Sequence, residues 1–152
     1  MKFPNGIRIY GDLDFRGKCP REEVEQASFF SRIRREYPDS YGLIALHPRN
    51  EGLKQGRQFS AVMRHKAEGM TKGAADIIIP ARVAFVCELK RQDHTQSKWQ
   101  DGQQAYLSAA MDAGAFVCLA LGAAAAWRAF EDWAALYSQG GCDHANGTGH
   151  AV

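Results

Sequence analysis

The chain is short of several things that would have named a function quickly. Its four cysteines, Cys19, Cys87, Cys118 and Cys142, form no CxxC pair and no Cys/His zinc spacing. That excludes a zinc ribbon and offers no disulfide framework. Cys87 and Cys118 sit inside apolar strand-like runs, where a free thiol acts as a small hydrophobe, so a reducing cytoplasm is expected. No apolar run approaches the length of a membrane span, and the first residues lack a signal-peptide core, so no membrane partner is expected. One-sided charge is scarce too: 19 Lys and Arg against 17 Asp and Glu leave a net charge of +2. A nucleic-acid partner is not forced by bulk charge and has to be argued from a local patch. There is no internal repeat. What is there, 152 residues at 45% hydrophobic and 24% charged, suits one globular domain with a real core.

Along the chain, Pro4-Asn5-Gly6, Gly11 and Gly17-Lys18-Cys19-Pro20 punctuate a short alternating piece, Ile7 to Tyr10, which reads as an N-terminal hairpin or arm over residues 1–20. Arg21 to Tyr37 reads as a helix, with Gln26, Phe29, Phe30, Ile33 and Tyr37 on one face, acids in the first turn and arginines in the last. Tyr41 to Leu46 reads as a short strand and 58–67 as a short helix. Asp76 to Ile79 and Val83 to Leu89 read as strands. A helix is expected from about Lys98 to Ala113, a central strand over Ala115 to Leu121 and a last helix over Ala123 to Tyr137. From Gly140 onward the composition is that of a flexible tail. The predicted architecture is α/β, with helices bracketing a small mixed sheet.

Residues 73–90 are the richest in chemistry. Asp76 opens one apolar run, and a second run ends in Glu88-Leu89-Lys90. Charges at strand ends are seldom free packing choices. Strand alternation puts Glu88 and Lys90 on one face and Leu89 on the other. If the two strands pair as a hairpin, Asp76 comes close to Glu88. Two carboxylates are the hard oxygen ligands that Mg²⁺ prefers, with waters and a substrate phosphate completing the shell. A lysine beside them can orient or help deprotonate a water, or neutralise a phosphate. Asp, Glu and Lys together suit phosphodiester hydrolysis.

Further pieces surround this trio in order: Glu22 with Gln26, His47-Pro48-Arg49-Asn50, Gly73-Ala74-Ala75-Asp76, Glu88-Leu89-Lys90, Gln103-Gln104-Ala105-Tyr106, and Gly114. The set resembles the VRR-NUC group of the PD-(D/E)XK nuclease superfamily over residues 21–137, and most of all its stand-alone phage or prophage members. The resemblance implies a restriction-endonuclease-like core (αβββαβ) over residues 21–139, flanked by the arm and by a tail over 140–152. It implies a Mg²⁺- or Mn²⁺-dependent DNA endonuclease, structure-selective in the manner of a Holliday-junction resolvase, acting as a homodimer in a bacterial cytoplasm. The alternatives are a nuclease on flap, nicked or single-stranded nucleic acid, or a non-catalytic DNA-binding module. It further implies that Asp76, Glu88 and the backbone carbonyl of Leu89 hold the metal, that Lys90 serves the attacking water, that a first-helix glutamate completes the metal site through water, and that Gln103 supports the site or the nucleic-acid backbone. That glutamate is Glu22, on the face of Gln26, with Glu25 as the alternative. The pattern's proline before the aspartate is Ala75 here, which changes local stiffness and not ligand chemistry. For the nucleic-acid backbone the candidates are Arg49, Asn50, Arg57, Lys66, Lys72 and Arg91. His47 reads as either a site residue or a turn residue, the turn being preferred.

Overall fold

A computed structural model describes residues 2–48, 69 and 71–137. Eight helices and strands are seen among the described residues: β1 (Arg8–Tyr10), α1 (Glu22–Glu36), α2 (Tyr41–Ile44), β2 (Ile77–Ile79), β3 (Phe85–Lys90), α3 (Gln103–Asp112), β4 (Phe116–Leu121) and α4 (Ala123–Tyr137), with one 3-10 turn at His94–Gln96. The strands form one mixed sheet in the order β1-β4-β3-β2. β4 runs parallel to both β1 and β3, while β2 and β3 form an antiparallel pair. The parallel β3–β4 pair needs a crossover, and α3 supplies it.

Alternation along the central strands builds two cores. Phe116, Cys118 and Ala120 face one side with Phe85, Cys87 and Leu89, against Phe29, Phe30 and Ile33 of α1 and Trp127, Phe130 and Trp133 of α4. Val117, Leu119 and Leu121 face the other side with Val86, against Leu107 of α3. All six residues of β3 and all six of β4 are buried, as the unbroken apolar run of 115–121 predicts for a central strand. Cys87 and Cys118 lie side by side in the β3–β4 register as free thiols. Helices on both faces of this sheet make the α/β restriction-endonuclease-like arrangement that the sequence led us to expect.

Two local expectations are corrected and one is narrowed. Of the two N-terminal alternatives, hairpin or arm, the described residues form an arm, in which Arg8–Tyr10 is an edge strand added parallel to β4. Tyr41 to Leu46 is not a strand. Tyr41–Ile44 forms one helical turn, and only Leu46 reaches the sheet, bridging to Ile78 through two backbone hydrogen bonds of 2.9 and 3.0 Å. Gly42 explains this. A Cβ there would stand 2.6 Å from the Tyr37 carbonyl oxygen, so the bare glycine lets the turn lie directly on the end of α1. Tyr41 then enters an aromatic cluster with Tyr37, Phe130 and Trp133 at centroid distances of 5.3–5.5 Å. A six-residue apolar run cannot distinguish these outcomes by periodicity. Last, α3 begins at Gln103 and not Lys98, because Gly102 takes a φ of +90° ahead of it.

Candidate functional site

The β2–β3 register pairs Ile77 with Cys87, so the next residues outward, Asp76 and Glu88, meet at the open end of the hairpin. Asp76 does not face away. Its Oδ2 accepts the backbone N–H of Leu89 at 2.9 Å. In a strand the N–H and C=O of one residue face the same neighbour, so the Leu89 carbonyl is turned toward Asp76 as well. The Leu89 side chain goes into the α1–α4 core, and Glu88 and Lys90 go to the α3 face.

Glu88 and Lys90 are 0% and 1% exposed, and Lys90 Nζ stands 2.7 Å from Glu88 Oε1. Glu88 Oε2 has no hydrogen-bond partner among the described residues. Lys90 Nζ also donates to Gln103 Oε1 at 3.2 Å, and Gln103 is itself fixed by the N–H of Gln100 at 2.8 Å. The Trp99 ring lies 5.4 Å from Lys90 Nζ. A buried ion pair with a bare carboxylate oxygen is expensive for the fold. Burial pushes the Glu88 carboxyl up to about 8, Asp76 adds to the rise, and Lys90 opposes it. Asp76 is raised too, first by burial, against the pull of the Leu89 N–H and of Lys90. Glu22 contributes to both rises, so the three carboxyls share one electrostatic neighbourhood.

Asp76 opens onto a hollow of about 260 Å³ whose walls also include Glu22, Gln26, His47, Gln100 and Gln103, while Glu88 and Lys90 are buried behind that lining. Glu22 is held there by Ser97, whose hydroxyl donates to Glu22 Oε1 at 2.6 Å and accepts the Arg91 N–H at 3.1 Å. Glu25 points elsewhere. Its Oε2 accepts the N–H of Ala123 at the start of α4, and its Oε1 accepts from Gln92 Nε2 at 2.9 Å. Of the two helix glutamates, Glu22 lines the hollow and Glu25 caps a helix. Sequence reasoning sets one contributor second and misses another. His47, for which the turn reading is preferred over a site role, donates from Nδ1 to the Asp76 carbonyl at 2.9 Å, where Gln26 also donates at 3.4 Å. Ser97 belongs to no motif, and nothing in the sequence marks it.

The basic residues divide. Arg49, Asn50, Arg57 and Lys66 lie outside the described residues. Lys72 is exposed and paired with Asp101. Arg91 is half-buried and donates to the Cys19 carbonyl at 2.9 Å, which ties the N-terminal arm to the end of β3. Among the described residues, no three His, Cys, Asp or Glu side chains stand together as a ready-made metal cage. No helix of the described residues is long and apolar enough to cross a membrane.

No family model and no curated protein matches the sequence. Among solved structures, a VRR_NUC domain protein superposes with a TM-score of 0.62 at 15% identity, over 80% of this chain and 93% of that one. The likeness extends over nearly the whole of that chain and establishes a shared fold.

Proposed function

We propose that the chain is a nuclease, and more finely a Mg²⁺- or Mn²⁺-dependent DNA endonuclease centred on Asp76, Glu88 and Lys90. The observation that carries the reading is the Glu88–Lys90 pair: two ionisable groups wholly buried at the open end of a hairpin, with one carboxyl oxygen unpartnered, beside a second carboxyl. Folding alone gives no reason to keep such a group. The shared fold with a VRR_NUC domain protein supports it.

The donor set fits a hard divalent cation. Asp76 and Glu88 supply carboxylates, the Leu89 carbonyl faces the same edge, and Glu22 sits across the hollow where it can act through water. Two carboxylates, with no closed cage among the described residues, suit Mg²⁺, which keeps waters and takes substrate phosphate. When bound, such a cation lowers the pKa of a coordinated water and neutralises charge developing on the phosphate. The chain's own groups do the rest. Gln103 and Glu88 hold the Lys90 ammonium from two sides, so it can orient a water or meet a phosphate oxygen. Ser97 holds Glu22, and His47 and Gln26 grip the backbone at Asp76. Hydrolysis adds the water oxygen to phosphorus, breaks the P–O bond to the sugar and gives that oxygen a proton.

A preference for branched DNA and a symmetric dimer complete the reading, since two opposed cuts call for two related sites. The test is cleavage of labelled duplex, flap and four-way-junction DNA with Mg²⁺, Mn²⁺ or EDTA. Cutting that needs the cation and vanishes in Asp76→Ala and Lys90→Ala is expected. Metal-dependent cutting that survives either substitution refutes the site.

A further inference from the structure

A second hollow, of about 410 Å³, adjoins the first on α1 and is lined by Glu23, Gln26, Ala27, Phe30, Arg34 and His47. The two share Glu23, Gln26 and His47, so they form one trough. Its floor follows the i,i+4 row Glu22, Gln26, Phe30 and Arg34. Twelve residues of helix put Arg34 about 18 Å beyond Glu22 along the axis.

The trough is electrically polarised. Glu22 and Asp76 occupy one end, Glu23 borders the part that the two hollows share, and Arg34 lies at the other end. The neighbouring arginines of the helix are already engaged, since Arg32 and Arg35 both reach Glu36. Arg34 has no carboxylate partner among the described residues. Its guanidinium stands 5.3 Å over the Phe30 ring, a contact that steadies the group without using its N–H donors. A steadied guanidinium with free donors is suited to a phosphate.

Resting on the nuclease reading, we infer that a single nucleic-acid strand lies in this trough, with Arg34 holding a backbone phosphate a few nucleotides from the bond to be cut. At 3.4 Å per phosphate on a B-form strand the separation is at most about five phosphates, and it is fewer on an extended strand. This assigns the direction in which the substrate leaves the acidic end, along α1 toward its C-terminus.

The test is fluorescence anisotropy in EDTA, where no cutting occurs, with labelled single-stranded oligonucleotides trimmed stepwise from either end. Arg34→Glu is compared with Arg35→Glu, which makes the same charge change on the same helix turn. Arg34→Glu should weaken binding about tenfold, and Arg35→Glu by no more than about twofold. Arg34→Gln should make the salt dependence shallower by about 0.7 in log–log slope, the value for one phosphate contact on a single strand. The Arg34 effect should disappear once trimming from one end, and not the other, removes its phosphate. Equal losses in the two glutamate variants, or an effect indifferent to trimming, overturn the trough assignment. Wild-type protein that cuts with metal while doing so leaves the nuclease reading standing. Thermal melts of each variant exclude unfolding as the cause.

Discussion

Glu22 and Glu25 are three residues apart in a run of acids that the sequence presents as nearly equivalent. Their surroundings separate them. Glu25 bonds the first N–H of α4 and the Gln92 amide, so Glu25→Ala removes a helix cap and should lower unfolding free energy by about 1–2 kcal/mol while the folded protein keeps its activity. Glu22→Ala should do the reverse, leaving the melting temperature nearly unchanged and cutting activity sharply. Denaturant titration beside a cleavage assay checks both, and activity loss confined to Glu25→Ala would move the role to the alternative residue. Ser97 is the matching case with no sequence signal. It bridges the backbone after Lys90 to Glu22, so Ser97→Ala should reduce activity or Mn²⁺ affinity by about tenfold, with Ser97→Thr restoring most of it. Calorimetric titration of Mn²⁺ reads the affinity directly, and an unchanged value removes the bridge from the site. Asp76, Glu88 and Lys90 were legible because charges at strand ends stand out in a line of residues, whereas Gln103, expected inside a helix beginning at Lys98, is picked out only by its place in the motif order. A serine held by two hydrogen bonds and a histidine held by one do not stand out.

At the level of elements, the acidic strand end and the Gln103 helix are brought together by two glycines in contact. Gly73 has a φ of +77° and Gly102 a φ of +90°, and a Cβ on Gly73 would stand 2.2 Å from the Gly102 carbonyl carbon. The loop ahead of Asp76 can cross the start of α3 only because neither residue has a side chain. Gly73→Ala should therefore destabilise by about 3 kcal/mol, from left-handed strain plus overpacking. Gly114→Ala, at φ +86° with open space around it, should cost only about 1 kcal/mol, the strain alone. Urea midpoints of the two variants check the difference, and equal losses would mean that the crossing is not tight. The same distinction explains which elements the sequence revealed. Long periodic segments such as α1, β4 and α4 carry their own signature. The turn at Tyr41–Ile44 and the late start of α3 were decided by what Gly42 permits against the end of α1 and what Gly102 permits against Lys72, and no periodicity records that.

For the whole molecule, the fold holds two ionisable side chains, Glu88 and Lys90, in the interior of its sheet, and this makes stability depend on pH in a direction that can be worked out. Burial, reinforced by Asp76, lifts the Glu88 carboxyl from an ordinary value of 4.5 to about 8. Between those values the folded chain keeps a proton that the unfolded chain has lost. Its contribution is complete below about pH 4.5 and is lost as pH rises through about 8. Asp76, also raised by burial, acts with the same sign. Exposed groups act oppositely and lower down. Glu36 is held below the ordinary carboxylate range by Arg32, and Asp101 by Lys72, so their small contributions fade only as pH falls below that range. In EDTA the urea midpoint should therefore be higher at pH 5 than at pH 8. A divalent cation that binds the ionised carboxylates stabilises the folded form by mass action, so Mn²⁺ should recover most of the difference at pH 8 and little at pH 5. Glu88→Gln should flatten the EDTA profile, because the group that takes up the proton is gone. A midpoint that is level from pH 5 to 8 without metal, or a Mn²⁺ effect equal at both, would mean that the buried carboxyl is satisfied by Lys90 alone and is not waiting for a cation.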